Sequence, residues 1–255
     1  MGPVTEDIDN MLAAMNRHSP TEGFMNAASP GVIALFQPNK HYATQDAYLE
    51  ALAEAMAAEY KAIVDAGLIV QLDSPDLGLG RHMLFKGKSD EEYQAQASLH
   101  VDALNHALAD IPKDRVRLHV CWGNYEGPHH HDAPMEMVLP IALRANVGAL
   151  LFESSNPRHA HEWEVFANTP LPDDLILIPG VIDSTTNFVE HPKLVAERIC
   201  RFADIVGRER VIAGSDCGFS TFAGFGAVDE DIVFAKLASM ADGARLASER
   251  LWGSS

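Results

Sequence analysis

The 255-residue sequence has few basic residues and only three cysteines. Lysine and arginine number 19 against 36 aspartates and glutamates, so the formal net charge is −17 at pH 7. Such a charge repels phosphates and argues against nucleic acid or anionic membranes as partners. Three cysteines cannot build a disulfide framework in a chain of this length. We therefore expect a reducing, cytoplasmic location, with cysteine reserved for metal binding or catalysis.

Long hydrophobic runs and targeting signals are also missing. No apolar stretch approaches the ~20 residues needed to cross a bilayer. The acidic segment 1–20 has no basic region followed by an apolar one, so it does not look like a signal peptide. Hydrophobic residues nevertheless make up 47% of the chain, a content typical of a folded domain. No glycine-rich phosphate-binding motif follows any apolar run, which argues against a nucleotide site.

Short β-branched runs alternate with longer amphipathic patterns along most of the chain. Near-continuous hydrophobicity in the short runs indicates strands buried on both faces, as in a parallel sheet covered by helices. The expected strands are 32–36, 68–72, 116–121, 147–152, 175–179 and 211–214. The expected helices are 45–66, 90–109, 135–145, 161–167, 192–206 and 229–252. This order predicts an α/β fold of the TIM-barrel type with six of its eight β/α units.

The N-terminal segment shows no pattern for the two remaining units. Residues 1–30 contain one helix pattern at 7–16 and a stretch rich in proline, glycine and serine. We interpret them as a partly irregular extension that precedes a barrel domain at 31–255. An unfinished barrel would expose two strand edges. We therefore expect self-association, or a partner chain that completes the barrel.

Potential metal ligands follow three of the predicted strands. His119 and Cys121 end one strand, and their side chains project together because residues i and i+2 of a strand point to one side. Glu153 ends the next strand, and Cys217 follows the last one. Since parallel strands end at one rim of a barrel, the four residues form a candidate zinc site. Taken singly, a strand cysteine or histidine is more commonly an ordinary core residue.

Several of these motifs resemble the catalytic domain of cobalamin-independent methionine synthase and its shorter relatives. The segments are 119–121 (HVC), 151–153 (LFE), 179–183 (PGVID), 190–192 (EHP), 215–219 (SDCGF) and, in part, 71–75 (QLDSP). The resemblance implies a TIM barrel in which the matching His119, Cys121, Glu153 and Cys217 bind zinc. It also implies that the zinc activates the sulfur of a thiol such as homocysteine for attack on an alkyl donor, as in methionine biosynthesis. The related epoxyalkane:coenzyme M transferases suggest another thiol as the alternative.

Two aspartates at predicted strand ends are candidate catalytic residues. Asp73 is interpreted as an anchor for a substrate amine or polar head, and Asp183 as a site carboxylate. Each could instead cap the loop that follows it. At the position of Thr185, methionine synthases carry a histidine thought to protonate the leaving folate, and Ser74 replaces an acidic residue. Threonine is a poor general acid, so these differences, with the absent first two barrel units, argue against folate as the donor.

Other polar residues receive more ordinary interpretations. The run 129–131 (HHH) is typical of a solvated loop, with a second metal site or a lid that carries a general acid as alternatives. His159 and His161 follow a turn and are expected to be exposed to solvent, whereas Cys200 is expected in the core. Asp216 is expected to orient its neighbours. The leading hypothesis is zinc-dependent alkyl transfer to a thiol. A zinc hydrolase and a zinc-binding barrel without turnover are the alternatives.

Overall fold

The computed structural model describes residues 2–83, 85–219, 224 and 228–253. The strands are β1 Phe24–Ala28, β2 Ile69–Asp73, β3 Val116–Val120, β4 Ala149–Phe152, β5 Ile176–Ile182 and β6 Gly214–Ser215. The helices are α1 Gly2–His18, α2 Pro30–Phe36, α3 Gln45–Asp65, α4 Gly80–Met83, α5 Asp90–Ala107, α6 Met135–Ala142, α7 Trp163–Asn168, α8 Pro192–Val206 and α9 Glu230–Trp252. No helix among these residues is both long and apolar enough to cross a membrane.

The strands follow one another through the sheet in the order of the sequence, from β1 to β6. The pairings of β1 with β2, β2 with β3, and β5 with β6 are parallel. In the register of these pairs, Ala28 lies opposite Asp73, and Asp73 lies opposite His119. The fold is therefore α/β, with the strand order of an incomplete TIM barrel, as the sequence predicted.

The first strand lies earlier in the chain than predicted. Residues 32–36, predicted as a strand, belong to α2. Ser29 caps this helix by accepting a hydrogen bond from the backbone N–H of Val32 at 3.0 Å, and Pro30 stands in its first turn. The true β1 lies inside the segment interpreted from sequence as an N-terminal extension. Its sequence FMNAA has no β-branched residue and is interrupted by Asn26, and only Ala27 of its five residues is buried, so it shows no pattern of a strand buried on both faces.

The other predicted elements are confirmed within a few residues, apart from the bounds of the first helix and of the last strand. Helix α1 extends beyond the predicted segment 7–16 in both directions. Strand β6 is only two residues long, and Val211, the start of the predicted strand, forms an isolated parallel bridge with Leu177. Asp216 and Cys217 therefore directly follow a strand of only two residues.

Residue contacts divide the chain into two compact units. The first runs from the N-terminus to Val120 and includes 137–149. In it, α3 packs against α2, α5 and β2. A buried polar cluster joins the start of α2 to α5, because Asp76 accepts a hydrogen bond from the Ser29 hydroxyl and lies 3.0 Å from Nδ1 of His100. Gly31 permits this approach, since a Cβ atom there would lie 2.1 Å from the Asp76 carboxylate.

The second unit contains residues 121–136 and the chain from 150 onward. Its helices α8 and α9 pack on each other and on β5. Its core residues are Val181, Ile182, Val195, Ala196, Ile199 and Ala247. Cys200 packs against this core, as predicted. The packing anchors β5, whose carboxyl end carries Asp183.

Candidate metal centre

Two thiols and one imidazole come together where β3 and β6 end. His119 lies in β3, Cys121 follows that strand, and Cys217 follows β6. Each residue offers one ligand atom, and these atoms lie within 4.8 Å of one another. The sulfur atoms of the two cysteines are 3.8 Å apart and are not joined by a disulfide. The structure thus groups three of the four residues predicted as metal ligands.

Asp73 lies against one of these three residues. Its Oδ1 atom is 3.0 Å from Nδ1 of His119, as the register of β2 and β3 dictates. A carboxylate at one ring nitrogen fixes the tautomer and orientation of an imidazole that binds metal through the other nitrogen. Asp73 is also half exposed. Its predicted contact with a substrate amine stays a prediction, and the structure adds a contact with His119 that the sequence pattern did not indicate.

Glu153, the fourth predicted ligand, is not among the three grouped residues. Its Oε1 accepts a hydrogen bond from the backbone N–H of Trp122 at 2.9 Å, and its Oε2 accepts one from Nδ2 of Asn156 at 2.8 Å. The residue is buried. Because Trp122 directly follows Cys121, the carboxylate is held beside the backbone of a candidate ligand.

The backbone after β3 also engages the thiol of Cys121. The N–H of Gly123 donates a hydrogen bond to this sulfur at 3.3 Å. A donor aimed at sulfur favours the thiolate over the thiol, and the thiolate is the form that binds metal. Gly123 has a φ angle of +103°, a conformation that other residues rarely adopt. Glycine is therefore favoured at the position whose N–H contacts the sulfur of Cys121.

Asp216, next to Cys217, organises the loop that follows β4. Its carboxylate accepts hydrogen bonds from the three successive backbone N–H groups of residues 154–156, at 2.8–2.9 Å. Burial and the nearby charge of Glu153 raise the pKa of Asp216 to about 7, against the lowering effect of the backbone hydrogen bonds. Gly180 makes room for it, since a Cβ atom there would lie 2.0 Å from Oδ1. The structure places Asp216 in contact with the backbone, in keeping with the expected orienting role.

A cavity of about 260 Å³ lies in the second unit beside these residues. One part of its lining is acidic and includes Glu153, Asp183 and Asp216. The lining also includes His129 and Arg158. A cavity with a few converging polar groups is the usual form of a small-molecule site.

Asp183 both lines the cavity and caps its own loop. Its Oδ1 accepts hydrogen bonds from the backbone N–H and the hydroxyl of Thr185, at 2.8 and 2.9 Å. Its backbone N–H donates to Glu190 at 2.8 Å, and the other oxygen of Glu190 accepts from Nζ of Lys236 at 2.8 Å. The two interpretations of Asp183 are thus compatible. The sequence analysis did not single out Lys236. Its spacing of seven residues from Gly243 places both on one face of α9, and that face is buried, so the helix pattern offered a signal.

His159 is buried, so its predicted exposure is wrong, whereas His161 is exposed as predicted. The indole of Trp122 covers the His159 ring at a centroid distance of 4.4 Å. Nε2 of His159 lies 3.2 Å from Asp132, and Nδ1 lies 2.7 Å from Glu162. Burial by itself lowers the pKa of His159, but the two carboxylates outweigh it and raise the pKa to about 9. The ring is therefore a buried imidazolium.

His129 departs from the solvated loop predicted for the histidine run. It is half buried, and its Nδ1 lies 2.9 Å from Asp132 while its Nε2 lies 3.0 Å from the carbonyl oxygen of Tyr125. The Tyr125 ring stacks on it at 4.2 Å. The hydrogen bond to Asp132 raises the pKa of His129, whereas burial opposes that rise. His130 and His131 are exposed, as the loop prediction requires.

The chain is similar in sequence to a lyase and to methionine synthases. The 2-hydroxypropyl-CoM lyase of Xanthobacter autotrophicus is 29% identical over 143 residues, which cover 46% of this chain and 38% of that protein. The methionine synthase of Saccharolobus islandicus is 25% identical over 229 residues, with 87% of this chain and 57% of that protein covered. The methionine synthase of Sulfurisphaera tokodaii is 25% identical over 245 residues, which cover 96% of this chain and 62% of that protein. The chain spans less than two thirds of each of these relatives.

The fold has a counterpart among solved structures. The B12-independent methionine synthase from Shewanella sp. W3-18-1, solved in complex with selenomethionine, matches with a TM-score of 0.70 at 16% identity, over 93% of this chain and 66% of that one. This likeness concerns the fold alone. The family model described as the cobalamin-independent synthase catalytic domain matches residues 25–245. Because that match covers most of the sequence, the chain belongs to the family of the cobalamin-independent synthase catalytic domain.

Proposed function

We propose that this protein binds Zn²⁺ and transfers an alkyl group to the sulfur of a thiol substrate. The observation that carries the proposal is the convergence of ligand atoms from His119, Cys121 and Cys217 within 4.8 Å in a chain of this family. In the proposal, the carboxylate of Glu153 completes the ligand set. Methyl transfer to homocysteine is the reaction that family membership favours.

The donor set suits zinc in distance and in chemistry. Two cysteine sulfurs on one tetrahedral zinc, each at ~2.3 Å, lie about 3.8 Å apart. The observed separation between Cys121 and Cys217 is 3.8 Å. Thiolates and imidazole favour zinc, whereas magnesium and calcium prefer oxygen ligands. The contact of Asp73 with His119 further supports a metal-binding imidazole.

Bound zinc would lower the pKa of a substrate thiol and hold it as the nucleophilic thiolate. The negative charges of two cysteines and Glu153 offset the charge of the metal, which favours an electron-rich sulfur over the activation of water. The cavity beside Glu153 holds the rest of the substrate in this proposal. Asp183, which lines the cavity, contacts the substrate there. Asp73, which lies against His119, is proposed to take the amine or polar head of the substrate. The loop of Asp183 is held in place by Glu190.

A second candidate reaction uses a different thiol. The similarity to 2-hydroxypropyl-CoM lyase favours coenzyme M as the thiol and a hydroxypropyl group as the alkyl portion. Thr185 supports a donor other than folate, because its hydroxyl is a weak acid that already donates to Asp183. Both candidates share the same zinc–sulfur chemistry and differ in the molecules that the cavity accepts.

Metal analysis of three purified forms tests the proposal. We expect about one zinc per chain in the wild type and in the control variant Cys200→Ser, and little zinc in the double variant Cys121→Ser, Cys217→Ser. Zinc X-ray absorption of the wild type should then show an additional sulfur neighbour after addition of homocysteine or of coenzyme M. Stoichiometric zinc in the double variant would refute the assignment of Cys121 and Cys217 as zinc ligands. An unchanged sulfur count with a persistent water ligand would instead favour the hydrolase alternative.

A further inference from the structure

Alkyl transfer to a thiol needs a proton donor whenever the leaving group is a strong base. Among the described residues that line the cavity, His129 supplies the sole imidazole. Burial raises the pKa of the Tyr125 phenol, and a guanidinium such as that of Arg158 does not release its proton in proteins. The Asp216 carboxylate is engaged as an acceptor by successive backbone N–H groups. Histidine is also the side chain whose ordinary pKa lies nearest neutrality, which favours the imidazole as the proton donor over the carboxylates of the lining.

The position of His129 is determined from several sides. Its Nδ1 is bonded to Asp132, the Tyr125 ring stacks on its ring, and its carbonyl oxygen accepts a hydrogen bond from Nε of Arg158 at 2.9 Å. Its φ angle is +41°, in the left-handed region that residues other than glycine rarely occupy. Such unfavourable backbone persists where surrounding contacts enforce it, and it is concentrated at functional sites.

A second layer of charge lies behind this imidazole. Asp132 is fully buried and shares one oxygen between His129 and His159. His159 in turn bonds Glu162, whose other oxygen accepts the backbone N–H of Met135 at 2.8 Å. The cluster alternates positive imidazolium and negative carboxylate, so each charge has an opposite neighbour in a buried place. This arrangement keeps Asp132 ionised and directed at His129.

We propose that His129 is the general acid of the alkyl transfer, with Asp132 and His159 as positioning residues. The inference rests on the proposed function. In the free protein, Nε2 of His129 faces the carbonyl oxygen of Tyr125, a neutral acceptor. A leaving group that gains negative charge is a stronger acceptor and takes over this hydrogen bond.

Atoms and electrons balance in this step. The thiol proton passes to solvent when the substrate sulfur becomes a thiolate. The sulfur electron pair then forms the new S–C bond, and the C–X bond to the leaving atom X breaks with its electrons on X. X receives the proton from Nε2 of His129, whose N–H electrons stay on the ring. The neutral imidazole regains a proton from solvent, and the sum is thiol plus R–X giving thioether plus H–X. With an epoxide donor, R and X stay joined, and the single product is a hydroxyalkyl thioether.

The charged groups around His129 favour its protonated form. Asp132 and Glu153 raise its pKa, together with the Tyr125 carbonyl, whereas partial burial opposes them. The positive charges of His159 and Arg158 lie on neighbouring segments, and Asp132 separates His159 from His129. Protonation at neutral pH is the state that a general acid requires.

Two alkyl donors separate acid catalysis from a structural role. Methyl iodide releases iodide, which needs no proton, whereas methyltetrahydrofolate or epoxypropane leaves a basic atom. With zinc-loaded protein and homocysteine or coenzyme M, we expect His129→Gln to lose ~10²-fold or more in kcat with the basic donor. It should keep the wild-type rate with methyl iodide. His130→Gln is the matched control, and it should resemble the wild type with both donors. Equal rates with the basic donor, or equal losses with both donors, would overturn the proposal.

Nitrogen NMR of labelled histidines gives a second readout that needs no turnover. We expect both ring nitrogens of His129 to stay protonated as the pH rises past 6.5, with His129→Gln identifying the signal. In Asp132→Asn the protonated form should be lost at lower pH, with a fall in kcat and little change in KM. A His129 ring that is already neutral at pH 6.5 would overturn the proposal. Absence of zinc or of transfer from methyl iodide in the wild type would instead refute the underlying alkyl transfer, and the role of His129 with it.

Discussion

Replacement of His159 by glutamine tests the buried charge cluster most directly. His159 lies between Asp132 and Glu162, and all three side chains are at most 8% exposed. The histidine pKa of about 9 in the folded protein exceeds the ordinary value of 6.5. At 1.36 kcal/mol per pKa unit, this difference corresponds to about 3 kcal/mol of stability. Since the folded pKa is raised, the contribution is complete below pH 6.5 and disappears as the pH rises through 9.

The His159→Gln variant should lose the stability that the imidazolium contributes, and with it the pH dependence of that contribution. Glutamine leaves Asp132 and Glu162 buried without the imidazolium between them, an arrangement that costs about 3–5 kcal/mol. We expect His159→Gln to be less stable than the wild type by that amount at pH 6. The gap should shrink between pH 6.5 and 9.5, because only the wild type loses a favourable interaction there.

Urea unfolding followed by circular dichroism at pH 6, 7.5 and 9.5 measures these differences. The exposed His161 provides the matched control, so His161→Gln should follow the wild type at each pH within about 0.5 kcal/mol. Parallel pH profiles for the wild type and His159→Gln would refute the reasoning. A cost below about 1 kcal/mol at pH 6 would likewise mean that the two carboxylates do not depend on His159.

Three further substitutions probe the supports of the site. Lys236→Met leaves the Glu190 carboxylate buried without its cation, and urea unfolding should show a loss of about 3–5 kcal/mol, against a smaller loss for Lys236→Arg, which keeps the cation. Gly180→Ala forces Asp216 to move, because the added Cβ would lie 2.0 Å from it, so unfolding should reveal a loss of about 1–3 kcal/mol. Asp73→Asn removes the charge that orients a candidate metal ligand, and competition with a chelator should show zinc affinity lower by ~10–100-fold. Wild-type stability of Lys236→Met or of Gly180→Ala, or wild-type zinc affinity of Asp73→Asn, would contradict the role given to that residue.

The class of the fold was accessible from sequence because its signals are local. Strands buried on both faces appear as short continuous apolar runs, and helices appear with a 3.6-residue period. The same logic placed His119 and Cys121 at the end of a strand, and the structure brings Cys217 to them. It failed for β1, which has no β-branched residue and is interrupted by Asn26, and for α2, where Ser29 and Pro30 start a helix in an apolar segment.

The partners of buried polar groups lay beyond the reach of sequence. Lys236 pairs with Glu190 across 46 residues, and His159 meets Asp132 across 27. Nothing in the local pattern around His159 distinguishes a buried ion from a solvated one, so His159 was predicted to be exposed, and the helix pattern around Lys236 does not identify its partner. Glu153 shows the same limit, because its contacts with Trp122 and Asn156 depend on how the loops after β3 and β4 pack.

The sequence alone therefore determined the strands and helices from α3 onward within a few residues, apart from α4 and the short last strand, and the residue types at the strand ends, since both depend on neighbouring residues. The tertiary structure alone decided which charges are buried, which partners compensate them and which way the imidazole of His129 is held. The physical reason is that burial and electrostatic interaction depend on distances through space, and packing between segments far apart in the chain sets those distances.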